Sequence, residues 1–383
     1  MKWKWNYIFY LLFIVTGCRQ IYNAPVKPMP AGYLVVEGFI STGTTNIQLS
    51  RTTTLSDTAL NVAEDGALVS IEGSGSDSFA LTSAGNGTYT NTQISLNNSE
   101  QYRLRIVTSA GELYLSDFET VKATPPIDSV NWTRGTAGVQ LYVNTHDPLD
   151  TNKYYYWTYN ETWEFHSDYV GDLKYIINYS LDHVIGVTWK LPYGLPDSSI
   201  YKCWSTQGST TVITGTTENV VPDVVYQQPL LFIPQGAQEL SVLFSLSVNQ
   251  YSVGKGAYQF LQELKNNTEN LGTIFDPQPS QLQGNIHCLT NPSEIVVGYV
   301  EVSNLQNQRI FISNSQVPGW DYTYVGCSID TLANDSVFLV RTGLEYLLPV
   351  VYLDNGTNYF SAVYSPCLDC TLTGSNIKPS FWP

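Results

Sequence analysis

The sequence predicts a mainly β protein: an N-terminal Ig-like or transthyretin-like β-sandwich, followed by a larger β domain with one amphipathic helix. The chain of 383 residues contains 27 tyrosines and only 2 methionines, and aromatic and β-branched residues favour pleated, half-buried strands. Many short stretches alternate between apolar and polar residues, with turn residues every 8–12 positions, which is typical of β-sandwiches. One stretch, near residues 252–271, instead has helical spacing.

The N-terminus has the pattern of an export signal. Two lysines among the first four residues precede an unbroken apolar run at residues 7–15. This run is too short for the ~20 residues of a membrane-spanning helix but matches the core of a signal peptide. It ends in VTGC at residues 15–18, which resembles the lipobox of bacterial lipoproteins. We therefore expect residues 1–17 to be removed and Cys18 to carry acyl chains; the alternative is an ordinary secretory signal that contains a cysteine.

Two further boundaries follow from proline. Residues 18–30 contain three prolines and no periodicity, so we expect an extended tether there. Residues 31–124 then read as short strands with frequent turns, and the alternation is clearest in residues 101–108. The adjacent prolines at 125–126 cannot lie in a central strand. The predicted sandwich therefore ends at residue 124.

Residues 125–383 are predicted to form the larger β domain. In its longest alternating stretch, residues 154–165, nearly all odd positions are aromatic and Glu161 lies among them. The helix near residues 252–271 has Ser252 as its expected N-cap and carries apolar residues at near-helical spacing. A single amphipathic helix in a β domain is expected to cover an open face or edge of a sheet.

Composition and motifs argue against several functions. The formal net charge of −15 and the absence of a basic cluster exclude a nucleic-acid-binding protein. No hydrolase, metalloprotease or nucleotide-binding motif is present, so we expect no cofactor, no metal and no enzyme activity. Two weaker candidates remain open. His146 and Asp147 read either as a catalytic dyad or as part of a solvated loop, and Glu161 reads either as a general acid or as an acceptor of hydrogen bonds from tyrosines or backbone.

The cysteines predict disulfides. Apart from Cys18, five cysteines remain, at positions 203, 288, 327, 367 and 370. In an exported chain they are first expected to form disulfides, and an odd number leaves at least one thiol free or paired between chains. The CxxC at 367–370 also fits a redox pair or half a zinc site, but it lies in a threonine-rich C-terminal tail. We favour a disulfide from Cys327 to Cys367 or Cys370.

Four aromatic residues are candidates for sugar contact. Exposed rings stack on the faces of pyranose sugars, and the candidates are Trp189, Trp204, Trp320 and Tyr322. The alternative is that these rings pack inside a sandwich, where each buries ~150–250 Å².

Several motifs in a fixed order carry a family resemblance: YLVVEGFI at the first strand, YRLRI at 102–106, PPIDSV at 125–130, residues 250–300, and the closing CLDCTLTGSNIKP. Together they resemble a Bacteroidota lipoprotein family of unknown function whose members are often encoded beside a TonB-dependent outer-membrane receptor. The resemblance implies an accessory role at such a receptor, and it brings no catalytic residues.

These observations lead to one expected function. We expect a non-enzymatic outer-membrane lipoprotein, at the cell surface in preference to the periplasmic face, that acts as the accessory or ligand-capture partner of a TonB-dependent receptor barrel. Its expected partners are the membrane, through the lipid anchor, the barrel, and a glycan or small nutrient. The alternative is a free-standing adhesin or glycan-binding lipoprotein.

Overall fold

A computed structural model describes residues 32–53, 62–178, 180, 183–192, 199–269, 284–322, 326–333, 347–354 and 358–383. The predicted signal peptide, Cys18 and the tether lie outside the described residues. The fold is mainly β, as predicted, with several sheets, and the described part of the chain contains one α-helix.

The first sheet is built mainly from the N-terminal region. Its first nine strands are β1 (Leu34–Ile40), β2 (Gly43–Arg51), β3 (Val62–Ala63), β4 (Leu68–Gly73), β5 (Ser78–Gly85), β6 (Thr88–Ile94), β7 (Gln101–Val107), β8 (Leu113–Ser116) and β9 (Glu119–Thr120). The sheet is continuous and curls around one apolar core. In β7 the residues Tyr102, Leu104 and Ile106 are buried in that core, as the alternation of the sequence predicts.

A later part of the chain returns to this first sheet. Two short strands, β19 (Ile286–Cys288) and β20 (Glu301–Val302), occupy its two edges, so that the order is β19-β8-β7-β4-β5-β6-β2-β1-β20. β19 pairs antiparallel with β8, and β20 pairs parallel with β1. Val296 and Val300 are buried in the same core. Residues 284–303 therefore complete the first sheet although they follow the larger domain's helix in the chain.

The remaining strands form four further sheets. They are β10 (Ile127–Arg134), β11 (Gly138–His146), β12 (Tyr154–His166), β13 (Leu173–Asn178), β14 (His183–Trp189), β15 (Lys202–Gly208), β16 (Ile213–Thr216), β17 (Val224–Pro234), β18 (Leu243–Ser252), β21 (Gln306–Ser313), β22 (Asp330–Ala333), β23 (Leu347–Asp354) and β24 (Asn358–Tyr364). β13 and β14 form a hairpin, and β22-β24-β23 form a separate small sheet.

Two of these sheets share one core. The sheet β10-β11-β17 contributes Val139, Leu141 and Val143, and the sheet β15-β12-β18-β21, with β16 beside β12, contributes Trp157 and Phe244 to the same cluster. The odd positions of β12 face this core, as the aromatic periodicity predicts. The larger domain is therefore centred on a core between two sheets.

The C-terminal tail covers the other face of the β12 sheet. Trp382 is buried; its ring meets those of Trp204 and Phe311 edge-on, and its Nε1 donates a hydrogen bond of 3.0 Å to Glu164 Oε2. A disulfide from Cys203 on β15 holds the tail in this position.

The helix, α1 (Lys255–Glu269), lies where the two β regions meet. Ala257, Phe260 and Leu261 are buried, and they line a small cavity together with residues of β1 and β12. The helix thus covers a sheet, as predicted. The expected N-cap is wrong: Ser252 ends β18, and its buried hydroxyl has no hydrogen-bond partner.

Candidate functional site

The four aromatic candidates for sugar contact do not share an exposed surface. Trp204 is buried beneath Trp382, and Lys202 Nζ lies 5.3 Å from its ring centre. Trp320 is also buried, and its Nε1 donates a 2.8 Å hydrogen bond to the carbonyl oxygen of Ala237. Both rings pack within the protein, which is the packing alternative that the sequence analysis left open for these candidates.

The other two candidates differ from each other. Tyr322 is half-buried, and its hydroxyl accepts a 3.2 Å hydrogen bond from Gln238 Nε2. Trp189, at the end of β14, keeps 54% of its surface exposed. Of the four predicted rings, Trp189 is therefore the one with a broad exposed surface.

The cysteines form two disulfides. Cys327 is bonded to Cys367, one of the two partners that the sequence favours, and Cys370 is bonded to Cys203. Cys288 is a buried free thiol, in agreement with the odd number of cysteines. The CxxC cysteines are thus bonded to two different partners, and this arrangement ties the tail to β15 and to the segment before β22.

Glu161 is buried on the core face of β12 between aromatic neighbours. Burial raises the pKa of its carboxyl from the ordinary 4.5 to about 7, and the negative charge of Glu239 adds to this rise. Among the described residues, no group donates a hydrogen bond to the carboxyl, so the predicted acceptor role is wrong. Glu161 is therefore protonated over much of the acidic range because it is desolvated.

His146 and Asp147 do not form a dyad. His146 is half-exposed, and its Nδ1 lies 2.8 Å from Asp128 Oδ2, which raises the pKa of the imidazole. Burial alone would raise the pKa of Asp147. Its carboxylate accepts hydrogen bonds from the backbone N–H groups of Leu149, Thr151 and Asn152 and from the side chains of Thr151 and Asn152. These hydrogen bonds outweigh the effect of burial and lower the pKa of Asp147 to about 2. Asp147 therefore organises the loop at residues 147–152.

That loop carries one part of an exposed aliphatic surface. Leu149 is 78% exposed, and Val221, in the neighbouring segment at residues 217–223, is 86% exposed. Three further exposed residues extend this surface: Val220, Val224 and Tyr226. We call these five residues the apolar end. Sequence periodicity does not reveal it, because its members lie on loops and a strand end rather than along one face.

The two segments of the apolar end are tied together by backbone hydrogen bonds. The N–H of Asp147 donates to the carbonyl of Asp223 at 3.1 Å, and the N–H of Thr217 donates to the carbonyl of Lys153 at 2.9 Å. β11 and β17 also pair His146 with Val224. The two segments of the apolar end are therefore directly connected.

A cavity whose wall includes three lysines lies beside the apolar end. It has a volume of about 470 Å³ and is lined by Lys122, Lys153 and Lys255, together with Thr151 and Asn152 of the loop. None of its lining residues is Asp or Glu, but each lysine is ion-paired just outside the lining. Lys122 pairs with Glu301, Lys153 with Asp150 and Asp223, and Lys255 with Glu218. The first turn of α1 contributes to the wall at Lys255 and contains no acidic residue. We call this the lysine cavity.

Within the described residues, no group of three or more His, Cys, Asp or Glu side chains is placed to hold a metal ion. The described helix is also not long and apolar enough to cross a membrane.

A family profile for a domain of unknown function, DUF4249, matches residues 19–309. The chain belongs to the DUF4249 family. The family of unknown function implied by the sequence motifs is thereby confirmed at this level. No curated protein matches the chain.

Two solved structures found by comparison share little with this DUF4249 protein. One is described as the manganese lipoxygenase of Gaeumannomyces graminis with a partial zonadhesin of Komagataella pastoris; it is 11% identical, covers 59% of this chain and 90% of the other, and has a TM-score of 0.16. The second is a chitinase from Bacillus thuringiensis, 13% identical, with 55% of this chain and 29% of the other covered and a TM-score of 0.15. At such scores neither likeness bears on function.

Proposed function

We propose that this DUF4249 protein is an outer-membrane lipoprotein that binds rather than catalyses, and that it is the accessory or ligand-capture partner of a TonB-dependent receptor. The observation that carries the proposal is the leader ending in VTGC at residues 15–18. The family match begins at residue 19, directly after Cys18, which supports a leader outside the functional domain. The receptor is proposed as the partner because the sequence resembles a Bacteroidota family whose members are often encoded beside a TonB-dependent receptor.

The described side chains support binding over catalysis. Side-chain catalysis needs converging groups of matched pKa. The sequence candidates instead serve separate structural roles: Asp147 holds its loop, His146 pairs with Asp128, and Glu161 is buried among core aromatics. A disulfide-tied β scaffold with exposed loops is what a binding accessory needs.

Co-purification from native outer membranes tests the proposal. An affinity tag inserted at the exposed turn at residues 109–111 leaves the buried C-terminal Trp382 undisturbed. We expect a stoichiometric TonB-dependent barrel in the eluate after gentle detergent extraction. The matched control is Cys18→Ala, which we expect to leave the outer-membrane fraction and lose the barrel. A wild-type protein that is recovered repeatedly without any barrel contradicts the receptor role.

A second candidate, the glycan-binding adhesin, is favoured by the exposure of Trp189. It predicts recovery of the protein alone together with binding on a glycan array. That binding should be lost in Trp189→Ala and kept in Trp204→Phe, because Trp204 is buried. Turnover of an oligosaccharide or peptide, abolished by Glu161→Gln, would overturn both candidates.

A further inference from the structure

We propose that the outer face of the sheet β10-β11-β17 binds a neutral oligosaccharide, with aromatic rings against the apolar faces of the sugars and amide and hydroxyl side chains on the sugar hydroxyls. We call this surface the sugar platform, and its members are Asn131, Thr133, Gln140, Tyr142, Tyr226 and Phe232. The proposal deepens the ligand-capture role by naming the class of ligand, and it rests on that role.

The platform exists because the three strands bury only one of their faces. The odd positions of β11 from 139 to 145 are buried in the core, so Gln140 and Tyr142 lie on the opposite face. The strand register places Thr133 and Phe232 on either side of Gln140, and it places Asn131 beside Tyr142. Asn131, Thr133 and Phe232 are exposed. These side chains therefore form two adjacent rows across an open sheet face.

Phe232 lies in an orientation that suits stacking. A Cβ atom at Gly138, two residues before Gln140 on β11, would stand 2.9 Å from Cζ of the Phe232 ring. The ring therefore extends across the neighbouring strand, in the space that the glycine leaves, and 48% of the residue remains exposed. A ring that lies along a sheet in this way packs one face on the protein and leaves the other face for a ligand.

Two tyrosines extend the aromatic surface along the strands. Tyr142 lies in the next row, and Tyr226, which is 75% exposed, follows beside Asn144, because the N–H of Gln227 donates a 2.8 Å hydrogen bond to Asn144 Oδ1. The rings of Phe232, Tyr142 and Tyr226 thus succeed one another over four residues of β11, or about 13 Å. This length suits a short oligosaccharide rather than a single sugar.

The polar groups between the rings match the chemistry of sugar hydroxyls. A sugar hydroxyl both donates and accepts hydrogen bonds, as amide and hydroxyl side chains do. Gln140 Nε2 donates to two main-chain carbonyls at 3.0 Å, which fixes the amide and leaves Oε1 as an acceptor. The Tyr142 hydroxyl accepts from Thr133 Oγ1 at 3.4 Å and keeps its own proton to donate. Within the described residues, no group hydrogen-bonds the amide of Asn131.

The charge of the platform argues for a neutral ligand. None of its six residues is charged, although the chain has a formal net charge of −15. At one end His146 pairs with Asp128, and at the other end Arg134 donates to the carbonyl of Pro318. An acidic or basic ligand would therefore find no complementary charge between these ends. A protein partner fits less well, because polar side chains separate the rings, whereas the centre of a protein interface is more continuously apolar.

Isothermal titration calorimetry tests the proposal with the soluble mature chain carrying Cys18→Ser. The probes are cellohexaose, xylohexaose, mannohexaose and maltohexaose, with oligogalacturonate as the acidic counterpart. We expect binding of at least one neutral probe and no binding of oligogalacturonate. Phe232→Ala and Tyr226→Ala should each weaken binding about tenfold, because each removes a ring that the sugar covers. The matched control is Trp189→Ala, which removes a ring that is 54% exposed elsewhere and should bind as the parent does.

Thermal melts check that each variant is folded, and Tyr226→Ala stays informative should Phe232→Ala unfold. No binding of any neutral probe, preference for oligogalacturonate, or equal binding by the parent and Tyr226→Ala would overturn the proposal. Loss of binding in Trp189→Ala alone would overturn it too, because the sugar would then lie at Trp189. A barrel that no longer co-purifies with Tyr226→Ala, when the parent binds no probe, would instead make the platform a protein interface. Failure of sugar binding leaves the receptor role standing, because neither receptor nor anchor takes part in the titration.

Discussion

Gln250 lies completely buried between the two sheets of the larger domain, and each polar atom of its amide has a partner. Its Oε1 accepts a 2.8 Å hydrogen bond from Trp157 Nε1. Its Nε2 donates to the carbonyl of Pro125 at 2.8 Å and to Thr145 Oγ1 at 3.0 Å. A single side chain thus joins β12, β11 and the start of the larger domain. Satisfied buried networks of this kind stabilise one specific arrangement.

Gln250→Leu should therefore destabilise the protein strongly. The substitution leaves the Trp157 N–H and the Pro125 carbonyl buried without partners, at a cost of about 1–3 kcal/mol each. We expect the free energy of unfolding, measured by urea denaturation, to fall by about 2–5 kcal/mol. Gln93→Leu, at an exposed position of β6, is the control and should change it by less than about 0.5 kcal/mol. Equal effects would contradict the network.

Glu161 makes stability depend on pH. Its pKa in the folded protein is about 7, above the ordinary 4.5. The folded state therefore retains a proton that the unfolded chain releases between these values, so the stabilisation is complete below pH 4.5 and lost as pH rises through 7. Glu161→Gln cannot lose that proton. From pH 4.5 to 8 the wild type should lose about 3 kcal/mol more than Glu161→Gln does, as followed by thermal or urea unfolding at each pH. Parallel pH profiles of the two proteins would contradict the burial of an ionisable Glu161.

At the residue scale, the sequence identifies candidate side chains by their chemistry but does not indicate which residues surround them in the fold. It left Trp204 and Trp320 open between sugar contact and core packing, and both are buried. The cover over Trp204 comes from Trp382, which is 178 positions away in the sequence. No local pattern specifies such a contact. The lysine cavity was missed for the same reason, because Lys122, Lys153 and Lys255 come from three distant segments.

At the element scale, the apolar stripe of α1 contains one buried and one half-buried leucine. Leu261 is buried and Leu264 is half-buried, and both line a cavity of about 110 Å³. Leu261→Ala should lower the free energy of unfolding by about 2–5 kcal/mol, and Leu264→Ala by less. Gln259→Ala, at an exposed position of the helix, should be nearly neutral. The ranking is measured by urea denaturation, and a larger loss at Leu264 would contradict the packing.

A second prediction at this scale concerns which elements the two disulfides connect. Peptide mapping without reduction should find Cys203 linked to Cys370 and Cys327 linked to Cys367, with Cys288 as a free thiol. We expect this connectivity because β15, which carries Cys203, lies beside the C-terminal tail, and Trp204 of β15 forms a β-bridge with Ser375 of the tail. A Cys327–Cys370 peptide would contradict this connection, and Cys288→Ala should leave the map unchanged.

Local periodicity predicted the strands that bury one of their two faces, and it did not predict the shortest strands. β7 and β12 alternate as the sequence indicates, because one face of each is buried. β19 and β20 contain only three and two residues, too few for any period. They are strands because β8 and β1 offer free edges to them. A short strand of this kind is specified by tertiary contact rather than by its own sequence.

At the scale of the whole molecule, the two β regions are joined by buried contacts. The ring centre of Phe39, on β1, lies 4.5 Å from that of Tyr251 on β18 and 5.5 Å from that of Tyr156 on β12. Thr124 Oγ1 accepts a 2.9 Å hydrogen bond from the N–H of Ser252 and contacts Ser303 Oγ at 3.0 Å. The boundary predicted from the prolines at 125–126 is thus packed into the junction, which favours one rigid binding body over two independent ones.

We propose that this protein works at a membrane to which Cys18 anchors it. The most direct test is the mass of the N-terminal peptide of the protein isolated from its own cells. We expect residues 1–17 to be absent and the chain to begin at Cys18 with acyl chains attached. The mass of ester-linked acyl chains should disappear after lipase and base treatment, whereas an amide-linked chain should remain, and Cys18→Ala should remain uncleaved or unanchored. A mature chain that begins at another residue, or one that carries Cys18 without lipid, would contradict the claim.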